Sequence, residues 1–147
     1  MRTLLLITLL SGCGGSQNSL TGSVSEIYAL DFDTVSASLL DQFLIIEYDK
    51  GPGGSEGKAA KLSVDMTGIT AMAGASIDLT QMVAGNPRGT LQQILGTTVD
   101  FPLMLGTLTV DEAPVAGKEL SGHFSTTLSM PMGRTLNGTF DATVKQL

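Results

Sequence analysis

Leu120-Ser121-Gly122-His123-Phe124-Ser125 and Leu136-Asn137-Gly138-Thr139-Phe140-Asp141 share one pattern: leucine, a polar residue, glycine, any residue, phenylalanine, then serine or aspartate. In an extended strand successive side chains point to opposite faces. Leucine, glycine and phenylalanine therefore share the core face, and Asn137, Thr139 and Asp141 meet water. The glycine leaves room on that face for a bulky neighbour from a facing strand, or lets the sheet coil sharply, as barrel corners require. A ligand approaching bare backbone is the functional alternative, but the flanking residues are ordinary core formers, which favours packing. The copies begin sixteen residues apart with Pro131-Met132-Gly133 as a turn between them, a spacing that predicts adjacent antiparallel strands. A third copy, Leu20-Thr21-Gly22-Ser23-Val24-Ser25, with another apolar residue in place of phenylalanine, lies far upstream, so no fixed period marks a solenoid.

Outward from this hairpin the chain keeps the same character. It has 18 glycines, many Thr, Ser and Val, and short apolar segments broken at short intervals, with no long helical periodicity. The reading is an all-β fold: a single antiparallel β-sandwich or small β-barrel of about 7–9 strands. Strands are predicted over Leu20 to Asp31, Val35 to Leu40, Phe43 to Lys50, Lys58 to Thr67, Ser76 to Thr80, Leu105 to Asp111, Lys118 to Met130 and Arg134 to Lys145. Thr90 to Leu95 reads either way. Thr90 and Gln93 have capping-box spacing, yet Gly89 and Gly96 leave room for barely two turns. Gly51 to Gly57 and Gly85-Asn86-Pro87-Arg88-Gly89 read as exposed loops, because proline lacks a donor and glycine is conformationally loose.

The first thirteen residues carry a different signal. Arg2 is followed by the apolar run Leu4 to Leu10 and then by Leu10-Ser11-Gly12-Cys13. One positive charge, a short apolar core and small residues at the cut have the order of an export signal. The run is far shorter than the roughly 20 residues that span a bilayer as a helix. The segment resembles the signal peptide and lipobox of bacterial lipoproteins, in which leucine, a small residue, glycine or alanine, and cysteine stand in that order; all four positions match. The resemblance implies cleavage before Cys13 and acylation of Cys13, and two or three acyl chains suffice for stable membrane attachment. It divides the chain into a signal peptide over residues 1–12, a lipidated cysteine and flexible tether over 13–19, and one β domain over 20–147. It also implies a cell-envelope address. Gly14 stands where an inner-membrane retention signal has aspartate, so the outer membrane is expected.

Composition limits the chemistry of what remains. Removing 12 residues from 147 leaves 135, one domain's length, and takes Arg2 with it, so the formal net charge moves from −6 to −7. That balance argues against nucleic acid as a partner. Cys13 is the only cysteine, so there is no disulfide partner and no thiolate chemistry in the domain. His123 is the only histidine, and its neighbours Gly122 and Phe124 place it on the solvent face in mid-strand. A Ser-His-Asp arrangement would have to use it, and no nucleophile-elbow motif supports one. The glycine-rich stretches lack the lysine and hydroxyl of a phosphate loop.

Carboxylates are the plentiful reactive groups. Asp31 and Asp33 share a strand face near Asp41, Glu47 and Asp49, which suggests a weak calcium site or, more simply, a solvated acidic rim. With no Trp and only Tyr28 and Tyr48, a sugar-stacking platform is poorly supplied; Tyr28 lies in phase with Val24 and Leu30 and reads as core. Met130 and Met132 flank Pro131 at a hairpin tip, and Phe101-Pro102-Leu103-Met104-Leu105 reads as a buried crossing or an exposed contact patch. No catalytic, cofactor or metal residues are assigned; the single site residue is Cys13. The leading expectation is a non-catalytic, membrane-tethered domain that contacts an envelope protein. A small apolar-ligand or lipid carrier would need an interior its side chains cannot fill. A carboxylate-based hydrolase would need two acids facing across a groove.

Overall fold

The computed structural model describes residues 18–70 and 72–147. Among these the strands are β1 (Ser19–Thr21), β2 (Thr34–Leu40), β3 (Phe43–Lys50), β4 (Gly57–Asp65), β5 (Ala75–Asp78), β6 (Met82–Val83), β7 (Asn86–Pro87), β8 (Gly89–Leu95), β9 (Thr97–Asp100), β10 (Leu103–Val110), β11 (Glu119–Leu128) and β12 (Thr135–Gln146). Ten of them form one curved sheet in the order β5-β10-β11-β12-β2-β3-β4-β8-β9, with β1 also on β12; β6 and β7 make a separate small hairpin. The fold is all-β. The described residues contain no helix long and apolar enough to cross a membrane.

The glycine pattern explains the centre of this sheet. Strands β11 and β12 pair antiparallel with Gly122 opposite Phe140 and Phe124 opposite Gly138, so each ring lies over the other strand's glycine. A Cβ on Gly122 would stand 2.7 Å from Phe140 Cζ, and one on Gly138 would stand 2.4 Å from Phe124 Cε1. Both phenylalanines are buried, as are Leu120 and Leu136. Strand β1 brings the third copy to the same place, with Leu20 beside Gly138. Leu44, Ile46 and Tyr48 of β3 and Leu62 and Val64 of β4 join them in one core.

Several expectations need correction. Leu20 to Asp31 is not one strand: pairing stops at Thr21, and Ser23–Glu26 forms a 3₁₀ turn. Gly22 ends the ladder with φ 143°, and a Cβ there would meet the Thr135 carbonyl oxygen at 2.1 Å. Ser19, read as the end of the tether, already belongs to β1 and bonds Thr139 through its hydroxyl at 2.8 Å. The sheet is mixed rather than wholly antiparallel, because β2 runs parallel to the C-terminal half of β12. Thr90 to Leu95 is strand; Gln93 is buried, and its amide donates to the Ala29 and Ala59 carbonyls at 2.7 and 3.1 Å. The Ala59 carbonyl is offered by a bulge in β4 that inserts Ala59 between Lys58, opposite Asp49, and Ala60, opposite Tyr48.

The sheet is not a closed barrel. The halves pair along β12 and β2, and on the other side the gap between β10 and β8 is bridged by a buried residue, Leu79, whose N–H donates to the Gly106 carbonyl of β10 at 2.9 Å and whose carbonyl accepts from Gly89 of β8 at 2.8 Å. Gly89 and Gly106 are bare where the Leu79 side chain packs.

Candidate functional site

Cys13, the one site residue read from sequence, lies outside the described residues. His123 is exposed on the outer face of β11, opposite Thr139 of β12 and Thr109 of β10. It borders an open groove of about 430 Å³ together with Asp111, Ser121 and Asp141. These are the residue types of a catalytic triad, but they are not wired as one. Ser121 Oγ donates to Asp111 Oδ2 at 2.9 Å, so the hydroxyl is committed to a carboxylate rather than to the imidazole.

Of the acidic residues near β2 and β3, Glu47 and Asp49 are joined to basic and hydroxyl groups. Lys58 Nζ lies 2.8 Å from Asp49 Oδ1 and 3.2 Å from Glu47 Oε2, Lys61 Nζ lies 3.5 Å from Glu47 Oε1, and Ser36 donates to Asp49 Oδ2 at 3.1 Å. Desolvation would lower the Lys58 pKa, but its bonds to Asp49 and Glu47 outweigh this and raise it. Asp33 accepts from the Gly51 N–H at 2.7 Å and fixes the turn after β3. The described residues hold no cluster of three or more His, Cys, Asp or Glu able to bind a metal ion.

An apolar hollow lies elsewhere, in a region whose sequence reads as loop. Leu79 to Gly89 folds back on itself: Gly89 bonds the Leu79 carbonyl, Arg88 N–H donates to the Gln81 carbonyl at 2.7 Å, and Met82 pairs with Pro87. Ala84 and Gly85 turn the chain with φ 49° and 86°, the paired positive values of a tight hairpin. Arg88, expected in an exposed loop, is buried. Its guanidinium donates to the Asp65 carbonyl at 2.5 Å, the Thr67 carbonyl at 3.1 Å and Gln81 Oε1 at 3.1 Å. The turns around it are capped by Asp65, which accepts from Thr67, and by Asp78, which accepts from Thr80. Those bonds, chiefly, with a smaller contribution from the Arg88 charge, hold both carboxyls below the usual carboxylate range.

This hairpin is one wall of a cleft of about 410 Å³, with Met82 and Pro87 facing Pro102 and Leu103 across it. The second wall is the Phe101-Pro102 crossing between β9 and β10. Phe101 is buried edge-on against Tyr28, with centroids 5.2 Å apart, and its N–H donates to the Leu91 carbonyl at 2.9 Å. The Pro102 carbonyl accepts from both the backbone N–H and the hydroxyl of Ser129, at 2.8 and 3.1 Å. The stretch Phe101 to Leu105 is thus both things the sequence allowed. Phe101 is the buried crossing, while Met104 and Leu105, 47 % and 64 % exposed, are surface. Met130 and Met132 stand on the β11–β12 turn that follows Ser129, at 70 % and 82 % exposure. At the cleft's rim Gln92 Nε2 donates to Asp100 Oδ1 at 2.6 Å. Tyr28, read as core, is half-buried.

Sequence reasoning missed the cleft because Ala84 takes a positive φ that its residue type does not announce, and because a lone arginine between proline and glycine reads as solvated. No protein-family model, curated protein or solved structure matches this chain, so the cleft stands on its own geometry.

Proposed function

We propose that this chain is an exported lipoprotein, acylated at Cys13, whose single β domain works by contact in the cell envelope, at the outer membrane, rather than by catalysis. The observation that carries this is Leu10-Ser11-Gly12-Cys13 after a short apolar run. Two features of the domain support it. Strand β1 enters beside Thr139 and runs toward Asn137, away from the C-terminal half of β12 and toward the β11–β12 turn. A chain arriving at Asn18 from a membrane leaves that turn, with Met130 and Met132, facing outward on the far side. The five Cα–Cα steps from Cys13 to Asn18 reach at most about 18 Å, so the domain would be held close to the bilayer. The second support is the exposure of Met130 and Met132 on the β11–β12 turn and of Met104 and Leu105 on β10, side chains of the adaptable kind used at contact sites. A carrier with an enclosed interior is less well supported: the rings of Phe124, Phe140 and Tyr48 fill the space that the glycines open.

Intact mass of the membrane-extracted protein, beside a Cys13→Ala form, tests the reading. A species that begins at Cys13, carries acyl mass and disappears in the variant is the expected result. An unmodified or plainly cleaved species would remove the anchor and the envelope address with it.

A further inference from the structure

We infer that the cleft between the β6–β7 hairpin and the Phe101-Pro102 crossing binds single-chain amphiphiles that carry a cationic head. At about 410 Å³ it lies near the small end of the range for small-molecule sites, which suits one alkyl chain. Its lining is mostly apolar, with Leu91 at the floor and Met82, Pro87, Pro102 and Leu103 on the walls. Both walls are fixed before a ligand arrives, one by the three acceptors of Arg88 and the other by the bonds of Phe101 and Pro102, so little ordering is left to binding. Met82, 61 % exposed, is the adaptable element, an unbranched thioether able to follow a chain of variable shape.

Charge selects the head. Among the described residues Asp100 is the only charged one that lines the cleft, and the Gln92 amide, bonded to one carboxylate oxygen, holds it at the rim. The chain as a whole is also acidic, with a net charge of −6. An ammonium head meets a carboxylate there, whereas an anionic head meets repulsion from the site and from the whole molecule. The inference does not depend on acylation of Cys13.

The test uses the full chain carrying Cys13→Ala, so that no acyl chain competes, with methionine methyls labelled for NMR. Decyltrimethylammonium and decyl sulfate are titrated below their micelle concentrations. The expected result is a saturable shift of the Met82 methyl with the ammonium, none at Met130 and Met132, and weaker binding of the sulfate. Asp100→Asn keeps the size of the side chain and should weaken ammonium binding about three- to fivefold, and shrink the preference for the cation to what the net charge of the molecule alone gives. Equal shifts at every exposed methionine would mean adsorption rather than a site. No saturation at Met82, or an Asp100→Asn form whose cation preference is undiminished, would overturn the assignment.

Discussion

At Gly138 an added Cβ would lie 2.4 Å from both Phe124 Cε1 and the Tyr48 hydroxyl oxygen, with no positive φ to add strain, so the demand for glycine is purely one of space. Gly138→Ala is expected to cost about 1–3 kcal/mol, as overpacking does. Phe124→Leu alone should also destabilise, by leaving a void. If the ring is what excludes the methyl, the double variant should cost less than the two singles together by more than about 0.5 kcal/mol in urea unfolding; simple additivity would place the conflict elsewhere. Tyr48 closes the same cradle. Its ring meets Phe32 and Phe124 edge-on and its hydroxyl donates to the Thr139 carbonyl at 2.8 Å, while burial pushes its pKa well above the ordinary tyrosine range. Above about pH 10 the unfolded chain ionises this phenol and the folded chain does not, so stability falls as pH rises, by up to about 1.4 kcal/mol per pH unit. Lys58, with its pKa raised, adds in the same direction: its ion pairs are fully present below the unfolded lysine value and are lost as pH rises through the folded one. Tyr48→Phe should lose about 0.5–1.5 kcal/mol at neutral pH and show a shallower alkaline decline in urea midpoint; an unchanged slope would sink the assignment to this residue.

Among the elements, the β6–β7 hairpin depends most on a single side chain. Arg88 spans two backbone carbonyls and the Gln81 amide, and no lysine can present donors in that fork. Arg88→Met keeps the bulk and leaves three part-buried acceptors without their donor, at an expected cost of about 1–3 kcal/mol. Arg88→Lys should fail to recover it. Faster amide exchange at Val83 and Asn86 in both variants, with the β11–β12 pairing still protected, would show that the loss is local to the cleft wall; a stability equal to the parent's would show that the fork carries nothing. The same hairpin marks where the sequence stops being legible. Phe43 to Lys50 is rich in β-branched and aromatic residues, alternates from Ile46 to Asp49 and forms a strand with those bounds, and Pro131-Met132-Gly133 turns the last hairpin as its residue types dictate. Leu20 to Asp31 alternates almost as well, yet pairing stops at Thr21 because Gly22 is pressed against the Thr135 carbonyl, a contact made 113 residues away. Arg88 has the same character: its three acceptors come from β4, the turn after it and Gln81, and nothing local names them. Of the candidate sites, the outward placement of His123 follows from strand parity, while the cleft needs two segments whose approach no local pattern records.

Across the whole molecule, the open question of architecture is how a sheet that does not close avoids exposing its core at the gap. The seam between β8 and β10 is bridged by Leu79, fully buried, with one backbone bond to each side. Gly89 and Gly106 make the bridge possible: Cβ atoms there would fall 2.7 Å and 3.2 Å from Leu79 Cβ, so the leucine occupies what two side chains would otherwise fill. The bond from Gly89 to the Leu79 carbonyl also closes the base of the β6–β7 hairpin, which couples the seam to the cleft beside it. Leu79→Ala therefore removes more than buried area. The transfer and cavity terms alone come to about 2–5 kcal/mol. If the seam is the weak line of the fold, the amides of Leu79 and Gly89 should exchange through a partial opening well below the global unfolding energy, while Phe124 and Gly138 at the centre of the sheet exchange only on full unfolding. Uniform loss of protection across both regions would instead show that the two halves of the sheet unfold as one unit and that Leu79 is an ordinary core residue.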